Sequence, residues 1–122
     1  MKLNLCPPCL IFYTDTRPDG FAGVANGPII RICRDYKDDE GLLKHETQHC
    51  LQWWITLGLH SILYLLSKQY KLWAETSAYK RQLKYPPASL GDVEKYRSIY
   101  AEFITTRYNL NITQAEALRL LS

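Results

Sequence analysis

The sequence predicts an α+β protein: a small N-terminal antiparallel β-sheet, then a helix carrying a His-Glu-x-x-His motif, then several further helices. Three observations predict it. Up to residue 34, short β-branched and aromatic runs alternate with Pro, Asn and Gly turn signals. From residue 35 onward, apolar residues recur at helical spacing behind capping residues. Between these two regimes, His45-Glu46-Thr47-Gln48-His49 sets two imidazoles four residues apart, a spacing that a helix turns onto one face.

Each element has its own warrant. Residues 9–14, Cys-Leu-Ile-Phe-Tyr-Thr, read as a strand ending at Asp15, and Arg17-Pro18-Asp19-Gly20 as a turn. Phe21 to Ala25 reads as a second strand, folded back at Asn26-Gly27 onto Pro28 to Arg34, since Asn-Gly between apolar runs is a strong hairpin signal. The strand Ile29 to Arg34 carries polar positions, which places it at a sheet edge where its backbone could pair with an extended peptide. Asp38 or Asp39 caps the motif helix, which runs to about Leu57 and breaks at Gly58. A second apolar helix is expected over about Leu59–Gln69 and a third over Leu72–Leu83, ended by Pro86-Pro87. Asp92 caps a fourth, with Val93, Tyr96, Tyr100, Phe103 and Arg107 along one stripe, and Thr113-Gln114-Ala115-Glu116 is a capping box for a last short helix.

Composition narrows the function classes. A chain of 122 residues, 47% hydrophobic and 22% charged, is expected to fold as one domain over 1–122. The net charge of +3 is spread over interleaved acids and bases, so no nucleic-acid partner is expected. The opening residues hold no apolar core of signal-peptide length before Pro7-Pro8, which predicts a cytoplasmic protein. Cys50 to Leu66 is apolar, but Gln52, Gly58, His60 and Ser61 interrupt it, so the expectation is a buried helical pair and no membrane partner. Cys6-Pro-Pro-Cys9 is half of a structural zinc site, whereas Cys33 and Cys50 stand singly; all four are expected to be small buried thiols.

The motif carries the chemistry. Leu42, His45, Glu46, His49 and Trp53 share one buried helical stripe, and burying two imidazoles and a carboxylate without partners would cost several kcal/mol. A bound cation removes that cost. A catalytic zinc takes three protein ligands and keeps one open position. A third histidine six residues past His49 is ruled out by Ile55, and His60 lies in an apolar run that suits a core or helix-surface histidine with a local partner. Glu75 is the better third ligand, since it shares an inward stripe with Leu72, Tyr79 and Gln82, and Ala78 is small enough to let two helices approach. The expected metal ligands are therefore His45, His49 and Glu75, leaving Glu46 to act on a water.

These residues resemble a family. His45-Glu46-x-x-His49 followed by Glu75-x-x-Ala78-Tyr79 resembles the gluzincin pattern of zinc metallopeptidases, and the wider frame with His49-x-x-Gln52 is similar to small minimal zincins of bacteria and their phages, over about residues 28–83. The resemblance implies a zincin-like fold, one zinc per chain and hydrolysis of a protein or peptide substrate with Glu46 as general base. It implies a further donor to the oxyanion, Tyr79 or Tyr64, a docking role for the Ile29 to Arg34 strand, and a host cytoplasm if the chain is phage-encoded. Tyr79 stands where the thermolysin-like Glu-x-x-x-Asp form has its aspartate, so another group must orient a ligand histidine. The alternative keeps the zinc and the fold but makes the chain a binding or accessory module without catalysis.

Overall fold

A computed structural model describes residues 1–85 and 93–122. Strands β1 (Lys2–Leu5) and β2 (Pro8–Thr14) form a hairpin with Lys2 opposite Ile11. Strands β3 (Gly23–Asn26) and β4 (Ile29–Cys33) form a second, turned at Asn26-Gly27 as the sequence predicts, with Gly27 at φ +62°. Only glycine enters that backbone region readily, and a Cβ there would also stand 3.0 Å from the Trp53 indole nitrogen.

The sheet corrects two expectations. Its order is β1-β2-β4-β3, and β2 and β4 run parallel, so the sheet is mixed and not a purely antiparallel meander. Strand β4 is central, paired on both sides, and β3 takes the edge beside it. Burial explains the placement. Ile30 and Ile32 of β4 are buried together with Cys9 and Ile11 of β2, so β4 belongs in the middle of the sheet. Arg31 does not force an edge, because alternate residues face the other side of the sheet, where it pairs with Asp19 at 3.1 Å. Strand β1, too short and too weakly β-branched to stand out in the sequence, occupies the opposite edge.

Helix α1 (Glu40–Ile55) starts at Asp39, whose carboxylate accepts from the Leu42 N–H at 3.0 Å, and ends where Leu57 and Gly58 turn left-handed. It lies between the sheet and α3 (Lys68–Gln82), burying Leu42 and Cys50 against Cys9, Ile11, Ile30 and Ile32. Helix α2 is shorter than expected, His60–Leu66, because the Ser67 hydroxyl caps α3 by accepting from the Tyr70 N–H at 3.1 Å. Helices α4 (Val93–Arg107) and α5 (Gln114–Leu120) close a second core around Tyr79, Tyr100 and Ile104, and Thr113 caps α5 as its capping box predicts. The expected breaker Pro86-Pro87 and cap Asp92 lie outside the described residues.

Two further expectations fail. The 50–66 run is not a buried pair: Cys50 and Gln52 are buried, but Leu59, Ile62, Leu63, Leu65 and Leu66 are exposed, since His60 and Tyr64 take the inward positions of α2. Cys9, Cys33 and Cys50 are buried thiols, whereas Cys6 is exposed at the β1–β2 turn. Among the described residues no helix is long and apolar enough to cross a membrane.

Candidate metal centre

The donors come from α1 and α3, which approach closely because Ala74 and Ala78 on α3 are fully buried. Helical spacing stacks His45 above His49 on the α3-facing side of α1, and Glu75 comes from the facing turn of α3. Among the described residues these three form the cluster able to hold a metal, with ligand atoms all within 4.8 Å of one another. Their triangle is nearly equilateral: 3.2 Å between the two Nε2 atoms, 3.3 Å from His49 Nε2 to Glu75 Oε1, and 3.4 Å from His45 Nε2 to the same oxygen. Bonds of about 2.0–2.1 Å at tetrahedral angles put ligand atoms about 3.3–3.4 Å apart, so the triangle has the size of one face of a tetrahedral site.

Each ligand is held from behind. His49 Nδ1 donates to Gln52 Oε1 at 3.0 Å, and the same amide donates through Nε2 to the Ala74 carbonyl at 3.1 Å, which fixes its orientation. His45 Nδ1 donates to Gln82 Oε1 at 3.0 Å. With both Nδ1 protons committed, both Nε2 lone pairs point at the same place. The Tyr64 hydroxyl donates to Glu75 Oε2, leaving Oε1 for the triangle. Gln52 and Gln82 are thus the groups that orient the two imidazoles. Sequence reasoning did not assign them this role, although Gln52 lies three residues after His49 and Gln82 seven after Glu75, both on the ligand stripes.

Two lone pairs and a carboxylate oxygen converging in a buried space call for positive charge. Burial raises the Glu75 carboxyl, but the charge of His49 and hydrogen bonds from both histidines outweigh it and hold that carboxyl well below the usual range. Burial lowers the His49 imidazolium, yet the charge and hydrogen bond of Glu75, with help from Glu46 and Gln52, raise it to about 9. A proton on His49 and a metal ion are thus alternative occupants of the same place.

Glu46 sits beside the triangle and not in it. Its Oε1 is 3.9 Å from His45 Nε2, and burial pushes its carboxyl upward against the lowering effect of both histidines. His60 is buried, with Nδ1 2.6 Å from the Tyr70 hydroxyl and its ring centroid 5.9 Å from that of His49, so it stands near the site outside the ligand set and with the local partner expected of it. Burial and the charge of His49 lower it to about 4, which leaves it neutral. The Tyr79 hydroxyl shares a 2.8 Å hydrogen bond with Tyr108, in which either can donate, and its ring lies edge-on to His45 at 4.3 Å. The Tyr64 hydroxyl is committed to Glu75.

A cleft opens over the triad in two lobes. One, of about 460 Å³, is bounded by β3, His60, Tyr64, Leu65 and Lys71. The other, of about 360 Å³, is walled by Tyr79, Tyr96, Tyr100 and Phe103. His45, Glu46, Arg107 and Tyr108 line both, so the lobes meet at the donors. The free edge of β3 runs along the first lobe, while β4, expected to dock an extended chain, has no free edge to offer.

Comparison with known protein families, curated proteins and solved structures finds no match. The function therefore has to be argued from the site: a buried two-histidine, one-carboxylate group that could hold a metal ion, placed at the floor of a cleft.

Proposed function

We propose that this protein is a zinc-dependent metallopeptidase that cleaves a peptide bond in a protein or peptide substrate. The observation that carries the reading is the position of Glu46, a buried carboxylate 3.9 Å from a ligand nitrogen, excluded from the ligand triangle and facing both lobes of the cleft. A purely structural metal site closes its coordination with protein atoms. Here His45, His49 and Glu75 would hold an ion from three sides, and both lobes of the cleft reach His45 and Glu46, a carboxylate with a raised pKa.

Zinc held by His45, His49 and Glu75 would supply Lewis acidity, bringing the pKa of a water to about 7 and polarising the scissile carbonyl. The chain's own residues do the rest. The free backbone of β3 pairs with the substrate as an added strand and lays it across the triad. The aromatic lobe accepts an apolar side chain on one side of the scissile bond. Glu46 takes the proton of the attacking water as the new C–O bond forms, and passes it to the amide nitrogen as the C–N bond breaks, giving an acid and an amine. Its raised affinity for a proton suits both halves of that transfer. Arg107, lining both lobes at their junction, and the neutral His60 are the cleft's candidate donors to the carbonyl oxygen as charge builds on it.

Glu46→Gln tests the reading. Zinc content should be unchanged while hydrolysis of a generic denatured protein substrate falls at least about 100-fold, the scale of a lost acid–base group. Stoichiometric zinc with no hydrolysis by the wild-type chain over a broad peptide library would instead assign the site to a non-catalytic accessory module.

A further inference from the structure

Helix α2 is built inside out. Its inward positions are the polar His60 and Tyr64, which bond Tyr70 and Glu75, while Leu59, Ile62, Leu63 and Leu66, at i, i+3, i+4 and i+7, form an apolar stripe in solvent. Leu57 is 90% exposed, Leu65 83% and Leu66 77%. Trp54 and Trp73, just beyond the two ends of this stretch in the chain, are also exposed. Folded monomers seldom leave so much contiguous apolar surface without a use for it.

The charge around the stripe says what that use is. From Thr47 to Ala74 the chain contains no Asp or Glu; of its two cations, Lys68 is exposed just past the end of α2, while Lys71 sets its ammonium 5.3 Å over the Tyr64 ring at the cleft. Leucine and isoleucine on one helix face, exposed tryptophans and an exposed lysine in a stretch of chain without acidic residues are the features of a segment that lies in the headgroup region of an anionic bilayer.

We propose that the outward face of α2, with Lys68, docks this protein on the surface of an anionic lipid bilayer. The inference is independent of the peptidase reading. It runs counter to the expectation of no membrane partner, which rested on α2 being buried. Docking in this way leaves α2 lying in the interface, not spanning it.

The test is co-sedimentation of the full chain with vesicles of phosphatidylglycerol and phosphatidylcholine, compared with vesicles of phosphatidylcholine alone, beside sedimentation velocity without lipid. The wild type should pellet with the anionic vesicles, less so as salt is raised. Ile62→Gln/Leu66→Gln should lower the partition coefficient roughly tenfold or more by removing apolar contact, and Lys68→Glu should lower it at least about fivefold. Both variants alter exposed side chains, and unchanged melting by circular dichroism shows that each is folded. Failure to pellet with anionic vesicles, equal binding to neutral ones, or a wild-type dimer that the double substitution dissociates would each overturn the proposal, the last by assigning the face to a second copy.

Discussion

Replacing Gln82 by leucine removes one atom that matters, the Oε1 that accepts from His45 Nδ1 at 3.0 Å, and leaves a side chain of similar size in the same buried position. His45 then has two unfavourable choices. It can keep its proton on Nδ1, where a buried N–H goes unpaired at a cost of about 1–3 kcal/mol. Alternatively it can move the proton to Nε2, where it blocks the nitrogen that completes the triangle. Either choice is charged against metal binding, so zinc affinity should fall about 10–100-fold, the range seen when the partner of a ligand histidine is lost. In free energy that is about 1.4–2.7 kcal/mol, in agreement with the unpaired-donor figure. Competition with a chromophoric chelator near neutral pH measures it directly. Gln82→Glu supplies the opposite perturbation: the acceptor returns with a negative charge, and affinity should match or exceed that of the wild type. A Gln82→Leu protein that binds zinc within twofold of the wild type would refute the orienting role assigned to Gln82.

Other consequences follow from the same geometry. His49→Ala should abolish stoichiometric zinc, and Glu75→Ala should weaken it by at least about 100-fold, as elemental analysis after dialysis against a mild chelator would register. The metal-free protein should lose stability in alkali. His49 is raised to about 9 when folded against about 6.5 unfolded, so its contribution is fully present below about pH 6.5 and disappears as pH rises through about 9. The loss should be on the order of 3 kcal/mol in urea titrations with chelator present, and absent when zinc takes the proton's place. Gly41→Ala should destabilise by about 1–3 kcal/mol despite its better helix propensity, because the new Cβ would sit 2.7 Å from the Tyr85 carbonyl oxygen and 3.1 Å from Gln82 Cγ. Since it pushes on Gln82, it should weaken zinc binding as well, which a structurally neutral substitution would not do.

The sequence by itself determined the features written in local spacing. The four-residue spacing of His45 and His49, a cap at Asp39, a cap at Thr113 and a turn at Asn26-Gly27 are each settled by neighbours within a turn or two, and each is found in the structure. Glu75 was legible for the same reason, since one inward stripe of α3 carries it with Tyr79 and Gln82. Tertiary structure alone decided what depends on residues far apart in the chain. Strand order could not be read because alternation shows which side chains share a face but not which strand lies beside which, so β4 appeared to be an edge until β2 and β3 flanked it. The hydroxyls of Tyr64 and Tyr79 find their partners, Glu75 and Tyr108, only in the folded chain. His45 and Gln82 lie 37 positions apart and become partners only when α1 packs on α3. The apolar run through α2 announced a surface to be covered; that it faces outward was decided by the polar site beneath it, which took His60 and Tyr64 for its own hydrogen bonds and left the leucines to the solvent side.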